Sequence, residues 1–218
     1  MAYETAKNKR QRASKIARKL NEVLPNPDTE IKYWKDPFKL VIAVSLSAQT
    51  TDKSVNLVTP LLWKKYKNAK SLSRAKLSDV KKILHPLGFY KNKAKNSIAC
   101  AKMITDKFNG KVPDNMKDLQ KLPGVGRKTA NIILNVIYDK VEGIAVDTHV
   151  FRISHKLKLS SAKTPEKTEW DLLKVFDKKD WKNLNHQLVL FGRQTCIARK
   201  PKCASCPLSK LCPSFSVK

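Results

Sequence analysis

Apolar side chains recur three or four residues apart along most of this chain, a spacing that predicts helices. Over residues 91–108 the positions Ala94, Ile98, Ala101, Ile104 and Phe108 fall on one helical face, and Gly110 ends the pattern. Ile16, Leu20, Val23 and Leu24 make a shorter face before the break Pro25-Asn26-Pro27. Residues 38–46 are apolar nearly all round. Their length and helical surroundings favour a central core helix over a buried strand. Further helices are predicted over 54–66, 77–84, 127–138, 148–157, 165–176 and 183–193, with a short one over 116–121. No run alternates at period two, and six glycines in 218 residues are few for a hairpin-rich fold. The pattern is all-α, without internal repeats, and a boundary is hinted near 138–143.

Composition narrows the class. Hydrophobic residues at 41% suit a packed core and exclude a disordered tail protein. The longest clean apolar stretch, Leu40-Val41-Ile42-Ala43-Val44, is far short of the roughly 20 residues that a membrane-spanning helix needs. The polar, basic start shows no secretory pattern, so a cytoplasmic protein without a membrane partner is expected. The formal charge of +27 is the electrostatic footprint of a polyanion binder, with nucleic acid the commonest case. The 37 Lys against 8 Arg leave open how much of that charge is coding bias rather than a binding face.

Chemistry gathers at three places. The first is Leu122-Pro123-Gly124-Val125-Gly126-Arg127-Lys128-Thr129-Ala130, between two helical patterns. Gly124 and Gly126 permit positive φ and let a ligand approach the backbone, while Val125 can tuck into the core. The turn's amides then open the second helix, an arrangement that binds phosphate. Lys128 lies in that helix's first turn, where the dipole and the neighbouring Arg127 both favour the neutral amine a nucleophile needs. The second place is Asp147 in Ile144-Ala145-Val146-Asp147-Thr148-His149, where an apolar run delivers a carboxylate to a helix start. It suits an N-cap and a group that stabilises developing positive charge. His149 is read as structural. The third is Cys196-x6-Cys203-x2-Cys206-x5-Cys212: four thiols without a nearby His, a soft site open to zinc or to an iron–sulfur cluster.

These motifs resemble the endonuclease III family of DNA glycosylases, within the helix–hairpin–helix superfamily with a Gly/Pro-rich hairpin and a following Asp. Leu46-Ser47-Ala48-Gln49-Thr50-Thr51-Asp52 and Gly88-Phe89-Tyr90 with Asn92-Lys93-Ala94 extend the match in order along most of the chain. The resemblance implies a two-domain fold: a six-helix barrel over 30–140 with the hairpin at about 116–135, and a second helical domain from 1–29 and 141–218 with an iron–sulfur loop at 196–212. It implies DNA lying between the two domains. By position, Gln49 resembles the side chain inserted into the space left by a flipped nucleotide. Phe89 stands where a bulky wedge, often Leu, enters the duplex.

The cysteine spacing resembles the family's loop for one structural 4Fe–4S cluster, and Arg199, Lys200 and Lys202 between its first two ligands could face phosphates. The activity implied is base-excision repair: removal of oxidised pyrimidines from double-stranded DNA, then cleavage at the abasic site through a Lys128 Schiff base, by a monomer. An adenine-type glycosylase usually lacks the lysine and carries an extra C-terminal domain. A non-catalytic helix–hairpin–helix module would leave Lys128, Asp147 and the cysteines unexplained.

Overall fold

The computed structural model describes residues 4–25, 27, 31–32 and 35–216. Among them the chain forms helices and no strand. In order these are α1 (Ala6–Val23), α2 (Pro37–Leu46), α3 (Asp52–Lys65), α4 (Ala69–Ser73), α5 (Leu77–Leu84) and α6 (Tyr90–Lys107). Then follow α7 (Met116–Leu119), α8 (Arg127–Tyr138), α9 (Thr148–Lys156), α10 (Pro165–Val175), α11 (Lys178–Gln194) and a 3₁₀ turn at Ser209–Leu211. The all-α reading is therefore correct. Of the expected break after α1, Asn26 lies outside the described residues.

Three details depart from the periodicity. Val23 is exposed, and the buried face of α1 is Ala13, Ile16, Ala17 and Leu20. Helix α11 begins five residues before the predicted start, because Trp181 is the one apolar residue in Lys178-Lys179-Asp180-Trp181-Lys182 and a single position shows no period. Helix α4 is invisible to periodicity. A capping box fixes it locally: Asn68 Oδ1 accepts the Ser71 amide at 2.9 Å, and Ser71 Oγ accepts the Asn68 amide at 3.2 Å.

The chain divides into two compact units, 29–142 and 1–28 together with 143–218. In the first, α2 is the central element and packs against α3, α6 and α8. Phe38, Leu40, Val41, Ile42, Ala43, Val44 and Leu46 are all buried, so its all-round apolar sequence is explained by burial on every side. Helix α6 also packs against α4 and α5, while α7 leads into α8.

The second unit joins α1 to α10 and α11, and α9 to α10 and α11. Gly192 lets α11 approach α9 closely: a Cβ there would stand 2.7 Å from His149 Nδ1 and 3.0 Å from Ile153 Cδ1. Arg12 ties α1 to the rest of this unit, donating to the carbonyls of Leu157 at 2.7 Å and Leu211 at 3.3 Å. Among the described residues no helix is long and apolar enough to cross a membrane.

Candidate functional site

The hairpin between α7 and α8 is held from below by apolar side chains. Leu119, Leu122 and Val125 are buried, and the Val125 amide donates to the Leu122 carbonyl at 3.0 Å. Val125 is thus the core-facing residue of the turn, as its sequence suggests. Gly124 takes φ 83°, where a side chain would be strained, and a Cβ would meet Asn96 Cβ on α6 at 3.4 Å. Gly126 corrects the sequence reading. Its φ is −88°, open to any residue, so positive φ is not what it supplies. A Cβ at Gly126 would meet nothing within 4 Å, so the surface of the turn is open there.

Gly126 is also the N-cap of α8, and no side chain caps that end. The first-turn amides keep their donors and the positive end of the helix dipole, a ready anion site. Lys128 is exposed in this same turn. Among the described residues it has no ion-pair or hydrogen-bond partner, so its amine stands free for chemistry.

In the other unit, Asp147 is half-buried at the start of α9. Its Oδ1 accepts the Val150 amide at 2.8 Å, the geometry of an N-cap. The preceding Ile144, Ala145 and Val146 are buried and anchor the approach to the helix. Asn185 Nδ2 donates to the Ala145 carbonyl at 2.6 Å and fixes the same segment.

Gln49 and Phe89 share a property the sequence does not reveal. Both are non-glycine residues in the left-handed region, at φ 53° and 57°. Such backbone costs about 1–3 kcal/mol each, and it clusters at functional sites. Neither side chain gains core packing in exchange: Gln49 is exposed and Phe89 is 66% exposed. An aromatic ring held in solvent on a strained turn has the shape of a wedge. Lys93, four residues beyond Phe89, is a further residue that sequence reasoning misses. It lies on the same stripe of α6 as the buried Ser97, Cys100 and Ile104, and a lysine on a core stripe is the available signal.

The four thiols belong to the loop after α11 and line one cavity of about 570 Å³. All are half-buried and none forms a disulfide. Turns fold the loop on itself: the Lys202 amide donates to the Thr195 carbonyl at 2.9 Å, and the Cys206 amide to the Cys203 carbonyl at 3.1 Å. Arg152 Nη2 holds the Cys196 carbonyl at 2.8 Å. Burial pushes the Cys196 thiol above its ordinary range, Arg152 opposes this, and the other three cysteines push it up further. Burial likewise raises the Cys206 thiol. Such a set wants a cation to accept its thiolates.

Four thiols with no histidine among them, lining one cavity, are the donor set that an iron–sulfur cluster takes. Arg199, Lys200 and Lys202 are exposed on the same loop.

Comparison with known proteins agrees with this geometry. Residues 42–178 match the HhH-GPD superfamily of base excision DNA repair proteins, and residues 196–212 match the iron–sulfur binding domain of endonuclease III. The second match begins on Cys196 and ends on Cys212, so the thiols above are those of the family's cluster domain, which carries one 4Fe–4S cluster. The endonuclease III of Synechocystis sp. is 41% identical over 207 residues, covering 95% of this chain and 94% of that protein. The Escherichia coli K12 endonuclease III is 41% identical over 205 residues, covering 94% and 96%. A trapped endonuclease III–DNA covalent intermediate superposes with a TM-score of 0.89 at 38% identity, over 94% of this chain and 96% of that one. A thermostable thymine-DNA glycosylase shares the fold, with a TM-score of 0.81 at 21% identity over 94% and 97%. By these matches across nearly its whole length, the chain belongs to the endonuclease III family of base excision DNA repair proteins.

Proposed function

We propose that this protein is a bifunctional DNA glycosylase and abasic-site lyase, acting as a cytoplasmic monomer on double-stranded DNA that carries oxidised pyrimidines or abasic sites. The observation that carries the reading is Lys128: an exposed, unpartnered amine in the first turn of a helix whose N-terminus no side chain caps. The amides of Gly124 and Gly126 take a backbone phosphate and bring the sugar to that amine. The damaged base, unreachable within the stack, is extruded first. Gln49 fills the vacated space and Phe89 wedges the opposite strand, roles supported by their exposure and left-handed backbones.

The Lys128 amine then attacks C1′ and the base departs with the bonding electron pair. The sugar ring opens to a Schiff base. Loss of a proton from C2′ expels the 3′ phosphate, which cuts the strand. Asp147 supplies the carboxylate that stabilises positive charge at the sugar and assists proton transfer. That a relative was captured as a covalent intermediate with DNA supports this chemistry. Arg199, Lys200 and Lys202 add phosphate contacts. The cluster is structural: with all four ligand positions supplied by cysteine, it organises the loop that carries those cations.

The deciding experiment is reductive trapping. Borohydride with the protein and a duplex holding one abasic site should yield a covalent protein–DNA species. Lys128→Gln keeps length and hydrogen bonding but no nucleophile, so trapping should vanish while duplex binding persists. Robust trapping by Lys128→Gln would assign the chemistry to another amine.

A further inference from the structure

Lys93 is 8% exposed, one turn into α6, yet among the described residues no carboxylate pairs with it. Its ammonium donates to Thr50 Oγ1, and its backbone amide donates to the Phe89 carbonyl at 3.1 Å. Thr50 closes the turn that carries Gln49, its amide donating to the Ser47 carbonyl at 3.1 Å. The Lys93 side chain therefore links the turn of Gln49 to the first turn of α6, which Phe89 opens. Three residues further along α6, Asn96 lies beside Gly124 of the hairpin.

The energetics point away from a stabilising role. A buried ammonium with a single neutral acceptor loses hydration that one hydroxyl does not repay, and an apolar side chain of similar length would pack there at less cost. Burial pushes Lys93 below the ordinary lysine range, in keeping with that penalty.

We propose that Lys93 is a positioning residue for base extrusion: by binding Thr50 with its side chain and Phe89 with its backbone, it fixes the offset between Gln49 and Phe89, so the two side chains enter the duplex in register. This rests on the reading of Gln49 and Phe89 given above. The bond acts through those residues and touches no reacting atom.

The test uses the full chain and a duplex with a tetrahydrofuran abasic analogue opposite 2-aminopurine, whose fluorescence rises when the opposing base is unstacked. Gln49→Ala and Phe89→Ala test the underlying reading, since both should abolish most of the rise. Lys93→Met should melt no lower than the native protein and bind undamaged duplex within about twofold. Its fluorescence rise should still fall, and its base-excision kcat should drop about tenfold, the scale of a small misplacement. Thr50→Val, which leaves α6 untouched, should reproduce the defect, and Thr50→Ser should restore the signal.

If the Gln49 and Phe89 variants lose the rise while Lys93→Met and Thr50→Val keep it, the positioning role is overturned and the reading stands. If the Gln49 and Phe89 variants keep it, the reading of those residues fails. Should Lys93→Met fail to fold, Thr50→Val and Thr50→Ser decide.

Discussion

Asp147 Oδ1 receives the Val150 amide at 2.8 Å, so the carboxylate proposed for catalysis is also the N-cap of α9. The two duties are separable. Asn caps a helix about as well as Asp, whereas Ala loses the bond at a cost of roughly 1 kcal/mol. Asp147→Asn should melt near the native temperature and release damaged bases far more slowly. Asp147→Ala should show the same slow release and also a lower melting temperature. Equal destabilisation by both variants would mean the cap geometry needs the charge.

The cysteine loop predicts the metal content. Protein purified without air should be brown and contain iron and sulfide, because the four cysteines line one cavity and span the match to the endonuclease III iron–sulfur domain. Replacing Cys203 or Cys206 should mainly disorder the loop and weaken DNA affinity. Stoichiometric zinc without iron on elemental analysis would contradict the assignment.

The two hairpin glycines should fail differently. Gly124→Ala forces a side chain to φ 83° and toward Asn96, so it should cost about 1–2 kcal/mol of stability. Gly126→Ala meets nothing in the protein and should barely change the melting temperature. It should weaken duplex binding all the same, because its Cβ would stand where a phosphate approaches. Calorimetry and filter binding on the pair read the contrast.

Arg199, Lys200 and Lys202 lie exposed on one loop. If all three meet phosphates, changing them together to Ala should lower the slope of log affinity against log salt by roughly 0.9 for each phosphate no longer neutralised. Preference for damaged over intact duplex should survive, since it depends on the extruded base. An unchanged slope would place the DNA elsewhere.

Cys100 is buried on α6, and burial pushes its thiol up to about 12. At pH 8 it should resist iodoacetamide until the protein unfolds. Because the folded value is raised, the stability associated with the protonated thiol is full below the ordinary thiol range and is lost as pH climbs toward about 12. Cys100→Val should flatten that alkaline part of the stability curve relative to native protein.

Local chemistry makes much of this legible in the sequence. Helix α8 runs over 127–138, as its apolar face and the glycines before it predict, and Asp147 caps α9 as its place in the sequence suggests. The features that stay hidden depend on neighbours distant in the chain. Nothing local marks Gln49 or Phe89 for left-handed backbone, since neither is glycine. Lys93 reads as one more surface cation until its neighbours on the stripe are seen to be buried. Helix α4 has too few residues to show a period at all, and only its capping pair gives it away.

The order of synthesis gives Arg12 a late partner. Helix α1 leaves the ribosome before the helices it packs on, α10 and α11, and Arg12 grips the Leu211 carbonyl beside the last of the four clustered cysteines. The middle unit, 29–142, is continuous in sequence and can close as soon as it emerges. Helix α1 must wait for the far end of the chain, on the order of ten seconds or more at ordinary elongation rates. Until then its apolar stripe has nothing to cover it. Helix α1 and the cysteine loop thus find each other in one closing event, and a nascent chain halted before Cys196 would hold a finished middle unit and an uncovered α1.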